Sequence, residues 1–165
     1  MKKLIVSILL LLPLGLVAQE LKIAVVNTNT IMATLPDVAE AHQLLQSMAA
    51  QYDADLKMMQ EDYERKVSEF TAQGDTLNEN IRVRRIQEIQ GIQERIENAY
   101  PAAQEDMNRK QEELFTPIRA KVQKAIAEVG SEIGYTYIFE PQYLLYIGDA
   151  AIDITDKVKA KLGLE

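Results

Sequence analysis

A long run of apolar residues with coiled-coil spacing constrains the fold of this chain more than any other feature. The steps alternate between four and three residues, and Lys66 is the one polar break. The positions are Leu45, Ala49, Tyr52, Leu56, Met59, Tyr63, Lys66 and Phe70. Because such a stripe is narrow, it buries itself against one partner helix. The sequence therefore predicts a long helix that begins near Pro36 and packs against a single neighbour.

A second run with the same spacing supplies that neighbour. Its positions are Ile86, Ile89, Gln93, Ile96, Tyr100, Ala103, Met107, Lys110 and Leu114. The turn-like residues around Gly74 separate the two runs, and Thr76 followed by Glu79 predicts an N-terminal capping box. We therefore expect an antiparallel coiled-coil hairpin over residues 37–114 with its tip at Gly74. At ~1.5 Å per residue this arm is roughly 50 Å long.

The helical pattern changes character beyond Leu114. Two successive steps of four, through Ile118 and Val122, rotate the apolar stripe as at a coiled-coil stutter. Pro117 and Pro101 each remove a backbone donor and clash with the preceding turn. The sequence therefore predicts a bend at both prolines, or a helix restart capped by Thr116.

Short β-branched and aromatic segments flank the arm. Residues 21–27 predict one strand, and residues 135–139 and 143–147 predict two more around a tight turn at Pro141. A last helix is expected over residues 156–162. The predicted fold class is α+β, mostly α, with residues 19–36 and 115–165 forming a small β-rich body.

The body is too small to bury a sheet on both faces, and three strands leave open edges. Self-association relieves both problems, and a closed barrel built from several subunits removes the edges. The alternation of these strands is too short to fix which face points inward. The candidate oligomerisation residues are Ile23, Val25, Tyr137, Phe139, Leu145 and Ile147.

The N-terminal residues predict export. A basic start at Lys2 and Lys3 precedes a short apolar run that ends at Ala18, the pattern of a cleaved signal peptide over residues 1–18. Loss of the two lysines takes the formal charge from −7 to about −9. This acidic balance disfavours nucleic acid as a partner. The chain has no cysteine, so disulfides are excluded.

No cluster of residues predicts catalysis, a metal or another cofactor. His42 stands without a second histidine or a cysteine and is expected to be an ordinary surface or seam-edge residue. Asp149, Asp153 and Asp156 lack the spacing of a calcium loop, and helix capping explains the last two. A phosphate-binding glycine loop is absent from the sequence. We therefore expect a protein that is not an enzyme.

The chain resembles the Skp/OmpH family of periplasmic chaperones. The resemblance rests on KIAVVNTNTIM, on the charged hairpin and on the segments FTPIRAKVQKAIAEVGSEIGYTYIFE and YLLYIGDAAIDITDKVKAKLG, and it covers nearly all of the chain beyond residue 18. It implies a homotrimer with a central barrel and three helical arms around a cavity. It also implies an ATP-independent holdase that keeps unfolded outer-membrane β-barrel proteins soluble in the periplasm. Familiar enterobacterial members are basic, whereas this chain is acidic.

Two groups of arm residues are candidate client contacts. Met48 and Met58 have flexible, polarizable side chains that adapt to varied surfaces. A basic group near the tip is expected to meet acidic client segments, lipid headgroups or lipopolysaccharide. Its members are Arg65, Lys66, Arg82, Arg84 and Arg85. The alternative function is a secreted coiled-coil adaptor that binds one folded partner of the cell envelope.

Overall fold

A computed structural model describes residues 21–73 and 76–164. The expected signal peptide over residues 1–18 and the expected hairpin tip at Gly74 lie outside the described residues. The elements, in order, are β1 (Ile23–Val25), α1 (Thr28–Thr34), α2 (Pro36–Gln73), α3 (Glu79–Ile133), β2 (Tyr137–Phe139), β3 (Ile152–Asp153) and α4 (Thr155–Lys161). Among these described residues, no helix is both long enough and apolar enough to span a bilayer.

Helices α2 and α3 form the predicted antiparallel hairpin. They contain 38 and 55 residues and pack side by side along the arm. Polar contacts join the helices from base to distal end. They are Asp37 with Lys121 at 2.9 Å, Tyr52 with Asp106, and Lys66 with Glu88 at 2.5 Å. From base to distal end the residue numbers of these contacts rise on α2 and fall on α3. The two helices are therefore antiparallel.

The predicted stripe on α2 is confirmed, because its members are half-buried apart from Met59, which is 37% exposed. The predicted stripe on α3 is partly wrong. Gln93 is exposed and Tyr100 is 68% exposed, whereas Ile92 is 3% exposed. The seam positions on α3 are Ile89, Ile92, Ile96, Ala99, Ala103, Asp106, Lys110 and Leu114, and the predicted Met107 is half-buried beside Asp106.

The difference on α3 is a shift of one residue at alternate positions, and it has a physical reason. Both Ile92 and Gln93 complete a three-four spacing between Ile89 and Ile96, and burial of the apolar side chain is favoured. At the next such position the small Ala99 lies in the seam and the large Tyr100 stays outside.

The predicted helix caps also change. Asn78, rather than Thr76, caps α3, since its side-chain oxygen accepts a hydrogen bond from the Ile81 backbone nitrogen at 3.0 Å. The Thr76 hydroxyl instead donates to the Gln73 carbonyl at 2.8 Å, at the end of α2. The capping box predicted from Thr76 and Glu79 is therefore wrong.

Helix α3 is continuous through both internal prolines, so the predicted restart at Thr116 is wrong. The helix ends at Gly134, which has a φ of 78° and donates its backbone N–H to the Gly130 carbonyl at 3.0 Å. A glycine suits this left-handed position because it has no Cβ.

A short helix, α1, lies between β1 and α2, in a segment for which the sequence predicts no helix. The Asn27 side chain accepts a hydrogen bond from the Thr30 backbone nitrogen at 2.9 Å and so starts this helix. The cap had a signal in the sequence, because asparagine is among the favoured N-cap residues. At seven residues the helix is too short for a periodic pattern to reveal it.

The body contains one parallel sheet in the order β2-β1-β3. The strand predicted over residues 143–147 is wrong, because Pro141–Tyr143 forms a 3₁₀ turn and the third strand lies at Ile152–Asp153. The Ile154 backbone nitrogen donates to the Val25 carbonyl at 2.9 Å and continues this pairing. Because Ile154 is fully buried, the packing of the following helix places β3 against β1.

The core lies where α1, α3, α4 and the sheet meet. Ile31, Ile154 and Val158 are fully buried there. Residues one turn apart on α3 cover them from one side, namely Ile118, Val122, Ala125 and Val129. A hydrogen bond from the Asn27 backbone nitrogen to the Thr155 hydroxyl, at 2.9 Å, ties β1 to α4. The mostly helical α+β architecture predicted from the sequence is confirmed.

We expect Gly130→Val to destabilise the body and Gly91→Val to leave it unchanged. A Cβ at Gly130 would lie 2.7 Å from the Ile138 Cδ1, whereas a Cβ at Gly91 would meet nothing within 4 Å. Overpacking of this kind costs about 1–3 kcal/mol. Thermal unfolding at one fixed protein concentration measures the difference, and equal melting temperatures for the two variants would contradict the packing described for α3 and β2.

Candidate functional site

One face of the sheet is apolar and exposed. Ile138 points toward Gly130 on α3, so its neighbours on β2 point the other way. The outward side chains of Ile23, Tyr137 and Phe139 are 43%, 53% and 39% exposed. The Tyr137 and Phe139 rings stack with their centroids 6.0 Å apart.

The segment after the 3₁₀ turn is more exposed still. Leu145 is fully exposed, and Tyr143 and Tyr146 are about four-fifths exposed. Ile147 is also exposed, at 41%. Together with Ile23, Tyr137 and Phe139, these four residues form what we term the apolar body surface. A protein chain rarely leaves so many large apolar groups in water unless something covers them.

The candidate oligomerisation residues therefore divide into three kinds. Ile23, Tyr137 and Phe139 share the outward face of the sheet. Leu145 and Ile147 lie on the exposed segment beyond it. Val25 is different, since it is only 6% exposed within a single chain. Sequence reasoning missed Tyr143 and Tyr146, although both belong to the apolar segment YLLYI.

The two candidate methionines occupy different environments. Met58 is 61% exposed on the surface of α2, and Met48 is half-buried at the edge of the seam. Tyr100 was expected in the seam but is among the most exposed apolar groups of the arm. The spacing of the sequence could not reveal this, because Ala99 and Tyr100 both fit the coiled-coil pattern of α3.

The basic residues near the tip are largely paired with neighbouring carboxylates. Arg65 forms ion pairs with Asp62 and with Glu69. Arg82 lies 3.9 Å from Glu79, and Arg85 lies 3.0 Å from Glu88. Arg84 has no ion pair among residues 21–73 and 76–164. Because the positive charges are locally compensated, they form a weaker basic patch than their number implies.

Lys66, the polar break in the seam, joins the two helices. Its ammonium lies 2.5 Å from the Glu88 carboxylate, which also accepts a hydrogen bond from Arg85 at 3.0 Å. These hydrogen bonds, first the one from Lys66, lower the pKa of Glu88 below its usual 4.5. The hydrogen bond from Lys121 likewise lowers the pKa of Asp37 at the base of the arm.

Within residues 21–73 and 76–164, no group of three or more metal-ligating side chains comes together. His42 instead places its ring 5.3 Å from the ring of Phe115, edge to face. This contact joins the base of α2 to the part of α3 that borders the core.

The geometry thus defines a class of protein in which a long helical hairpin projects from a small body with an exposed apolar surface. The chain belongs to the family of outer membrane proteins described as OmpH-like, whose family model matches residues 22–162.

Known relatives agree with this assignment. The chain is 26% identical over 137 residues to the chaperone protein Skp of Pectobacterium atrosepticum, covering 83% of this chain and 82% of that protein. It is 27% identical over 140 residues to the chaperone protein Skp of Yersinia enterocolitica, with 85% of each covered. A crystal structure of an OmpH-like outer membrane chaperone from Caulobacter crescentus superposes with a TM-score of 0.75 at 13% identity, covering 85% of this chain and 82% of that one. That structure supports the fold alone.

We expect acid to loosen the distal arm through Glu88. A carboxylate whose pKa is lowered by folding stabilises the folded state above its unfolded pKa, and this contribution is lost as the pH falls through the folded value. Between pH 6 and pH 3 the melting temperature of the wild type should therefore fall more steeply than that of Glu88→Gln. Equal slopes for the two proteins would contradict a stabilising role for this cross-helix pair.

Proposed function

We propose that this protein is a periplasmic chaperone that holds unfolded outer-membrane β-barrel proteins without ATP. The observation that carries the proposal is the combination of a long helical arm with an exposed apolar body surface, in a chain of the OmpH-like family. The relatives named chaperone protein Skp support the same reading. The N-terminal pattern over residues 1–18 supports export and cleavage near Ala18.

Assembly into a homotrimer supplies the cavity in this proposal. The body, residues 19–36 and 115–165, associates through its apolar surface and forms an intersubunit barrel. Leu145 is fully exposed in the single chain, and burying such a side chain contributes about 1.5–3 kcal/mol. The arms, residues 37–114, then surround a shared space.

Holding in such a space needs no deep pocket. Several arms that each make a weak contact raise the effective concentration of the others. Exposed methionine and tyrosine side chains, here Met58 and Tyr100, suit contacts with many different sequences. Met48 contributes at the edge of the seam.

Charge plays a smaller part in this proposal than the number of basic residues near the tip implies. The group Arg65, Lys66, Arg82 and Arg85 is paired with carboxylates, which leaves Arg84 as the free cation of the described tip region. Contact with lipid or lipopolysaccharide is then local to Arg84 and weak, since exposed single charges are screened by salt.

A direct test dilutes a urea-unfolded outer-membrane β-barrel protein into buffer with or without this protein. A holdase prevents aggregation without ATP, so light scattering should stay low both for this client and for an unrelated unfolded chain. An adaptor with one folded partner leaves both clients to aggregate, which would refute the proposal.

We expect Leu145→Asp to break the assembly and Met58→Asp to leave it intact. Leu145 makes no packing contribution within one chain, so the variant should fold, but it would place a charge in the apolar interface. Met58 is an exposed arm residue and controls for the added charge. Mass measured by light scattering after size-exclusion chromatography distinguishes a trimer from smaller species. A Leu145→Asp protein that keeps the wild-type mass would argue against the apolar body surface as the interface.

A further inference from the structure

Charge is distributed unequally around α3 along the arm. Positions seven residues apart lie nearly in line on a helix, because seven residues make about two turns. One such row contains Ile86, Gln93, Tyr100 and Met107. The adjacent row contains Gln90, Glu97, Gln104 and Gln111. Glu97 is the single charged residue in these two rows, which we term the neutral flank.

The opposite side of α3 is different in character. One row there contains Glu88, Arg95, Ala102 and Arg109. The next contains Arg84, Gly91, Asn98 and Glu105. Most of these side chains are charged, and this charged flank carries ion pairs such as Arg109 with Asp106. The two flanks therefore present different chemistry to whatever lies beside them.

The two flanks lie on opposite sides of the seam, as two grooves that both border Tyr52 indicate. Tyr100, Gln104 and Met107 line a shallow groove of about 210 Å³ together with Asp53 of α2. A second groove, of about 430 Å³, is lined by three residues of the charged flank and by residues of the seam. Its α3 residues are Ala99, Ala102, Ala103, Glu105, Asp106 and Arg109. Tyr52 lines both grooves and lies between them.

The neutral flank is accessible in the single chain. Tyr100 is 68% exposed and Ile86 is 38% exposed, and the glutamines of both rows are exposed as well. Ile86 and Met107 are 21 positions apart, which corresponds to roughly 30 Å along the helix. The surface is therefore long enough to contact an extended segment of another chain at several points.

The chemistry of the neutral flank favours an uncharged polypeptide segment as the partner. A glutamine amide both donates and accepts hydrogen bonds without carrying charge, as an unfolded backbone does. The tyrosine and methionine side chains add adaptable apolar contact. Covering a charged side chain with an apolar segment carries a desolvation cost, and the neutral flank avoids that cost.

We propose that the neutral flank is the surface on which the arm holds the uncharged segments of an unfolded polypeptide client. This inference rests on the proposed holdase function and adds the side of the arm that does the holding. The flank has one charged side chain, Glu97, in eight positions, and this low charge suits a segment that carries none. Holding on this surface is consequently insensitive to ionic strength, since there are few charge pairs to screen.

Two matched double variants test the assignment. Gln104→Glu with Gln111→Glu adds two charges to the neutral flank. Ser47→Glu with Gln87→Glu adds the same two charges on the outer faces of α2 and α3, opposite the seam. All four side chains are exposed, so helicity and assembly mass should match the wild type in both. The probe is a fluorescently labelled outer-membrane β-barrel protein diluted from urea, and its anisotropy is followed as each chaperone variant is added.

We expect the neutral-flank variant to bind about tenfold more weakly, which corresponds to about 1.4 kcal/mol, and the control to stay within about twofold of the wild type. Raising the salt from about 50 mM to about 500 mM should change the wild-type affinity by less than about twofold. Equal weakening of both variants, or a large loss of wild-type affinity in salt, overturns the assignment to this flank. A wild type that binds no client at all refutes the holdase function itself and is thus a distinct result.

Discussion

The packing of α2 against α3 along one narrow seam supports every other feature of this molecule. Most of the stability of a helix in a protein comes from the packing of its apolar face, so each helix of the arm depends on the other. Among the described residues of the arm, few are buried beyond the base, and in its distal half Ile92 is the one buried apolar residue. Polar contacts between helices, such as that of Tyr52 with Asp106, supplement a thin apolar interface. The arm is therefore a scaffold whose sides remain available.

The seam also decides what each side of the arm presents. When Ile92 and Ala99 enter the interface, Gln93 and Tyr100 are left on its flank. A shift of one residue would bury Tyr100 and expose Ala99, and the surface would lose its largest apolar side chain. The chemistry proposed for client holding is thus a direct consequence of which residues the helices bury.

The sheet of the body is covered on one face and exposed on the other. Residues of α3 cover the inner face through contacts such as Gly130 with Ile138, while Tyr137 and Phe139 remain exposed on the outer face. In the proposed trimer this exposed surface is the link between subunits, and arm and body act together. Assembly then positions several weak surfaces around one space, and no single residue has to supply the affinity. Local pairing of the tip arginines with carboxylates fits this division, because it leaves little long-range charge to attract clients.

The sequence by itself determined the hairpin, the α2 half of its seam, the first strand, the last helix and the family. It did so because coiled-coil spacing and β-branched runs are local signals with few alternative solutions. Only the tertiary structure decided the phase of the seam on α3, since Ile92 and Gln93 both fit the spacing and the packing against α2 selects between them. It also decided that the strand beside β1 is Ile152–Asp153 rather than residues 143–147, because the burial of Ile154 and Val158 draws that segment onto the sheet. Strand pairing and helix phase depend on contacts between residues distant in the chain, and a pattern read along one segment does not contain them.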